Sequence, residues 1–360
     1  MSSQLRIENM LDKIIYLNKS FNFKPNVEAP KAMLKAYPIY SESPLKLISF
    51  DKGNHVFVKD ETERMNIGSF KATGGIYAVA QLISRKWYSM YGKALRPGDF
   101  HTPSVKKFAS NITFVCASAG NHGLAVAAGA NIFGAKAIIY LSNSVPNSFA
   151  LRLENYGAEV VYSGGTYEQS CQTAIEYSKC SDDVLLADSA WIGYVDPPML
   201  IMEGYTIIAE ELREKFEYNN NWPTHVFVQA GVGGLAGSLT HMIRMNWKKQ
   251  PKIIVIEPEA APCLLESAKS STPVAVTGPL SNMGRLDCKE PSLIALNILA
   301  KSDVEYLTVS DGEAMSAAQK LAENEVHTTP SGAAGFAGLI KYNPPINAQP
   351  LVIITEGVLL

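Results

Sequence analysis

A chain of 360 residues is long for one hydrophobic core and favours two domains or one large α/β unit. Its formal net charge is −2, nearly half of it is hydrophobic and no block of like charges occurs. These features argue against a nucleic acid or an anionic membrane as partner and leave a small molecule as the expected ligand.

The first stretch, "MSSQLRIENMLDKIIYLNKS", threads charges through its apolar residues and has no small-residue cleavage site, so no secretory leader is expected. No later stretch has the apolar length of a membrane span. Five cysteines, an odd number without metal-ligand spacing, suit a reducing cytoplasm better than a disulfide framework. Cys263 and Cys288 flank one loop region; two buried thiols are the first expectation there and an oxidative pair the second.

"MNIGSFKATGG", residues 65 to 75, sets Lys71 between a phenylalanine and the start of an alanine-rich helix. Taken alone it reads as an ordinary surface lysine. From residue 55 onward β-rich runs alternate with helical stretches: "HVFVKD", "ITFVCAS", "KAIIYL", "EVVYSG", "VLLADS", "HVFVQAG", "KIIVIEP", "VEYLTVS" and "PLVIITEG". Segments such as "NHGLAVAAGANIFG" and "DGEAMSAAQKLAENEV" lie between them with helical apolar spacing. Nine strands are many for one doubly wound sheet. The predicted fold is therefore α/β, with two domains of parallel-rich sheets covered by helices and a cleft between them. Residues 78–198 form the expected smaller domain, and residues 1–77 and 199–360 the larger one, with "YVDPP" and "NNNWPTH" marking the return.

Ligands of α/β folds bind where loops leave the C-terminal ends of strands, and three such exits stand out. In "VQAGVGGLAGSL", Gly231, Val232, Gly233 and Gly234 follow a strand and open a helix, which suits a phosphate. The same loop passes for a dinucleotide fingerprint through Gly231, Gly233 and Ala236, with Glu257 placed for a ribose contact, so an NAD-dependent amino-acid dehydrogenase stands as the rival of different chemistry. In "SAGNHG", Ser118, Ala119, Gly120, Asn121 and His122 form a second strand-to-helix loop suited to a substrate carboxylate. His122 reads there as a structural histidine rather than a base. The third exit is "IITEGVLL".

One lysine, one phosphate loop and one carboxylate loop together suit pyridoxal 5'-phosphate. At this point the chain resembles the fold-type II pyridoxal-phosphate enzymes from about Tyr40 to Gly357, and within them the diaminopropionate ammonia-lyases. "SPLKLI", "VFVKDETERMNIGSFKATGGIYAVAQLI", "LADSAWIGYVDPPMLIMEGY", "VQAGVGGLAG" and "DCKEPS" match that family in order and spacing. The resemblance implies that Lys71 carries the cofactor, that Asn121 contacts its ring hydroxyl and that Gly231 through Gly234 hold its phosphate. Thr355 is implied as the neutral hydroxyl at the pyridine nitrogen; Phe70 reads as a neighbour of the ring, with a plain core phenylalanine as the equal alternative. The implied reaction is α,β-elimination on a small amino acid to a 2-keto acid and ammonia, with the freed Lys71 as base and its pKa lowered by burial and by the nearby cationic system. A homodimer is the common state of the group.

Two positions bear on the leaving group. The ammonia-lyases carry an aspartate where this chain has Ala119, and "SAGNHG" is instead similar to the hydroxy-amino-acid dehydratases, which keeps serine or threonine dehydration open. Asp188 matches an acidic position of the ammonia-lyases, with a cap of the turn before Trp191 as the equal alternative. The chain ends five residues after Thr355, so the regulatory domain of allosteric threonine dehydratases is not expected.

Overall fold

The computed structural model describes residues 21, 23–50, 54–118 and 120–358. The N-terminal stretch read above for a leader, and Ala119, lie outside the described residues. Ten strands form two sheets. All nine runs read as strands are strands, although "VLLADS" supplies only Val184–Leu185.

The larger sheet has the order β1 (Leu45–Phe50), β2 (Asn54–Asp60), β10 (Pro350–Ile354), β7 (His225–Gln229), β8 (Lys252–Pro258), β9 (Glu305–Val309). Only the β1–β2 pair is antiparallel. The smaller sheet, wholly parallel, runs β5 (Glu159–Tyr162), β4 (Lys136–Leu141), β3 (Thr113–Ala117), β6 (Val184–Leu185). β10 is buried at all five positions, as a strand covered on both faces must be. Its neighbours β2 and β7 carry the ends of their strands to the same side, so the exits of β7 and β10 open together.

Among the described residues twelve α-helices cover the sheets: α1 (Glu28–Lys35), α2 (Lys71–Tyr91), α3 (Pro103–Ala109), α4 (Asn121–Phe133), α5 (Asn147–Asn155), α6 (Tyr167–Cys180), α7 (Asp196–Asn219), α8 (Gly234–Asn246), α9 (Cys263–Ser270), α10 (Leu293–Ala300), α11 (Asp311–Ala322) and α12 (Pro330–Tyr342). Helix α2 runs unbroken through residues 77 and 78 and packs on both α4 and α7. Its approach to α7 depends on missing side chains. A Cβ on Gly74 would lie 2.3 Å from a ring carbon of Tyr205, and one on Gly204 would lie 2.5 Å from the carbonyl of Thr73. Small residues at the crossing let the two backbones meet and carry one core, including Ile76, Val126, Phe133, Ile207 and Leu212, from one sheet towards the other.

Candidate active site

Lys71 is the first residue of α2, and a buried ionic cluster fixes the segment that delivers it. Arg64 donates to Glu61 at 2.6 Å and to Glu211 at 2.7 Å, Lys59 donates to Glu211 at 2.5 Å, and Ser43 donates to Glu61 at 2.5 Å. Such charges persist in a core because each has a partner. Met65 and Asn66 follow with φ of 52° and 57°, a left-handed pair that turns the chain tightly before Ser69. The turn is then sewn to the exit of β10. The amide of Phe70 donates to the carbonyl of Thr355 at 3.0 Å, and that of Gly357 to the carbonyl of Gly68 at 3.0 Å.

The Lys71 ammonium bonds the Asp188 carboxylate. Its Nζ also sits 5.2 Å from the ring centroid of Phe70 and 5.7 Å from that of Tyr205; the two rings lie 4.9 Å apart. Asp188 is thus the counter-ion of the lysine. Burial works to lower the lysine's pKa, as expected from the sequence, but the Asp188 charge and hydrogen bond outweigh it and hold the amine well above its ordinary value. The lowered value expected from the sequence belongs to the lysine once freed beside the cofactor's cationic system, a different state from this ion pair. Conversely, burial works to raise Asp188, and the charge and hydrogen bond of Lys71 hold it well below the usual carboxylate range.

The exit of β3 places Ser118 and Gly120 at the N-terminus of α4, with the Gly120 amide donating to the Ser118 hydroxyl at 3.2 Å. His122 Nε2 lies 2.7 Å from the Leu186 carbonyl. A carbonyl only accepts, so this nitrogen carries the proton, while Nδ1 is buried without a partner. Burial lowers the pKa of the ring, and the residue braces the loop as a neutral histidine. Asn121 donates its amide to Glu356, and its own Oδ1 is buried and unpaired.

Gly231, Val232, Gly233 and Gly234 leave β7 and start α8, as read from the sequence. A Cβ on Gly231 would lie 2.9 Å from Cys288 Sγ, and Gly233 has a φ of +96°, so both positions favour glycine. Backbone amides at a glycine-rich helix start form a cradle for an anion, here with Cys288 beside Gly231.

Sequence reading missed Glu356, Arg285 and Gln229, whose residue types carry no signal without their placement. Glu356 follows Thr355, is buried, and bonds Asn121 and Thr329. Burial raises its pKa against the opposing effect of Arg285, whose Nε stands 3.2 Å away. Arg285 meets all three strand exits: its side chain lies 3.8 Å from a Cβ built on Gly120, its carbonyl 3.2 Å from one built on Gly231, and its guanidinium is paired with Glu356. Gln229 donates its amide to Thr355 Oγ1 at 3.1 Å.

The dinucleotide reading fails at Glu257. This carboxylate is buried beneath α9, accepting the amides of Leu264 at 2.7 Å and Leu265 at 2.8 Å, and burial pushes its pKa up to about 7. It is spent on capping a helix and does not face a ribose. Cys263 and Cys288 are free thiols on either side of Gly231; Cys263 is buried as expected, whereas Cys288 is only half-buried.

Residues 38–357 match the family model described as "Pyridoxal-phosphate dependent enzyme". The chain belongs to the pyridoxal-phosphate dependent enzymes. Among curated relatives it is 32% identical to a diaminopropionate ammonia-lyase of Salmonella typhimurium over 78% of this chain and 71% of that one. It is 27% identical to a biosynthetic L-threonine dehydratase of Pasteurella multocida, over 91% of this chain and 58% of the relative. Among solved structures it is similar to the Escherichia coli diaminopropionate ammonia-lyase in complex with an aminoacrylate-PLP azomethine reaction intermediate. That match has a TM-score of 0.80 and 25% identity, and it covers 95% of this chain and 92% of the other. Pyridoxal 5'-phosphate is accordingly the cofactor of this pyridoxal-phosphate enzyme. The geometry suits it, for a recessed amine, a glycine-rich anion cradle and a buried neutral hydroxyl occur around one set of strand exits.

Proposed function

We propose that the chain is an ammonia-lyase that carries out α,β-elimination on a small amino acid of the 2,3-diaminopropionate kind, giving a 2-keto acid and ammonia. The observation that carries this reading is the Lys71–Asp188 pair, a base and an acid in direct contact at the mouth of the anion loops. Relatives named as diaminopropionate ammonia-lyases support the same chemistry. In this reading Lys71 is the cofactor lysine, Gly231 to Gly234 take the phosphate, Asn121 contacts the ring hydroxyl, Thr355 faces the ring nitrogen and Phe70 packs beside the ring. Ser118, Gly120 and the first amides of α4 take the substrate carboxylate, with Asn121 and His122 shaping that loop.

When bound, pyridoxal phosphate supplies an aldehyde for amine exchange and an electron sink that makes the substrate's α-hydrogen acidic. The chain's own residues then handle protons. Substrate amine arrives as an ammonium and passes a proton to Asp188, which is ionised beside Lys71. Lys71, once neutral, takes the α-proton, and the resulting ammonium passes a proton through Asp188 to the departing amine. Thr355 adds no negative charge at the ring nitrogen, which favours quick loss of the β-group over protonation elsewhere.

Dehydration of a hydroxy amino acid is the second reading, favoured by Ala119, which offers no carboxylate to a substrate ammonium. We further propose a cytoplasmic homodimer in which residues 78–198 act as the smaller domain. The functional test begins with colour: the purified protein is expected to be yellow, to lose its visible band on borohydride treatment and to lack it as Lys71→Ala. Ammonia and keto-acid release from L- and D-diaminopropionate, L-serine and L-threonine then separates the two readings. The expected order is L-diaminopropionate first and D-diaminopropionate weak or absent; a protein that turns over only the hydroxy amino acids refutes the first reading.

A further inference from the structure

Gln229, the last residue of β7, lies behind Thr355 and is not used by the mechanism above. Its Nε2 faces four oxygens: the carbonyls of Gly332 at 2.8 Å, Ile353 at 3.0 Å and Ser331 at 3.4 Å, and Thr355 Oγ1 at 3.1 Å. Three backbone carbonyls fix which way the amide points, because the flipped arrangement would set its oxygen against all of them. Its Oε1 is left buried without a partner, in space kept open by Gly335, where a Cβ would lie 2.7 Å from that oxygen. A glutamine serving only to pack would not retain an orphaned acceptor; the nitrogen is the atom this position uses.

The consequence falls on Thr355. An amide nitrogen donates and does not accept, so the Thr355 hydroxyl cannot send its proton towards Gln229. No other protein acceptor bonds that hydroxyl among the described residues. The proton is therefore turned outward, to the side where the cofactor ring is placed by the proposed function. We infer that Gln229 is a positioning residue that makes Thr355 a hydrogen-bond donor to the cofactor's ring nitrogen and so keeps that nitrogen unprotonated. This rests on the pyridoxal-phosphate reading of Thr355 given above.

The test uses the holoenzyme loaded with cofactor labelled with nitrogen-15 in the ring, read by NMR. The wild type is expected to show a nitrogen that is hydrogen-bonded and unprotonated. Gln229→Met keeps the length of the side chain and frees the hydroxyl to turn, so its signal is expected to move towards that of an unbonded nitrogen, with cofactor affinity reduced about tenfold for the loss of one hydrogen bond. Gln229→Glu gives the hydroxyl an acceptor and draws its proton inward, and the signal is expected to move towards the protonated range. A protonated nitrogen in the wild type overturns the inference. So does a folded, loaded Gln229→Met protein whose nitrogen signal equals that of the wild type. A wild-type protein that binds no pyridoxal phosphate fails at the earlier step and is told apart by its lack of a visible band.

Discussion

At the scale of single residues, Asp188 decides the resting state of Lys71. Replacing it as Asp188→Asn removes the charge that offsets burial, so the lysine's pKa falls. The midpoint for acylation of Lys71 in cofactor-free protein, followed by peptide mass spectrometry across pH, is expected to drop by about one to three pH units. Elimination is expected to slow by roughly 10²- to 10⁴-fold, the usual worth of a positioned proton-transfer group. Glu257 offers a stability test of the same kind. Its folded pKa of about 7 lies above the ordinary 4.5, so the stability contributed by its neutral form is complete below about 4.5 and is lost as pH rises through about 7. Glu257→Gln does not titrate. Relative to the variant, the wild type is expected to lose up to about 3 kcal/mol in urea unfolding between about pH 5 and about pH 8.

At the scale of elements, Lys71 was findable and its supports were not. The glycine loops, "SFK" and "ITEG" signal their chemistry because turns, anion cradles and helix starts demand particular residue types at particular spacings. The strand β1 was missed because it is an edge strand with Leu47 turned to solvent, so its apolar residues do not alternate as a half-buried strand's should. Gln229, Arg285 and Glu356 act through contacts across the fold that no local pattern encodes. Gly74 and Gly204 were in plain view, yet their purpose emerges only when α2 and α7 cross. Gly204→Ala places a methyl group 2.5 Å from the Thr73 carbonyl. It is expected to cost about 1–3 kcal/mol in urea unfolding by forcing the helices apart, and to weaken cofactor binding because Lys71 begins the displaced helix.

At the scale of the whole molecule, alternation of strands and helices was enough to give two parallel-rich sheets, since strands in excess of one sheet must close a second. The site lies where both sheets send strand exits, and the Asn121–Glu356 bond joins the exit of β3 to that of β10. A ligand seated among these exits binds the folded chain alone, so it stabilises the fold by mass action. Pyridoxal phosphate at 100 times its Kd is expected to add about 2.7 kcal/mol, seen as a rise in Tm that grows with cofactor concentration. Lys71→Ala, which keeps the cradle and loses the amine, is expected to retain only a small part of that rise.

The stitches between Gly68 and Gly357 and between Phe70 and Thr355 have a consequence for how the enzyme is put out of action. Lys71 and Thr355 belong to one corner of the larger sheet, whereas the loop of residues 118–122 hangs from the smaller sheet and meets that corner through the packing of α2 on α4, the Asn121–Glu356 bond and Arg285. Loosening the smaller sheet thus separates substrate orientation from cofactor capture. Ageing or mildly heated enzyme should lose turnover while it still takes up the aldehyde and stays yellow, so colour reports the survival of the corner and not of the catalyst.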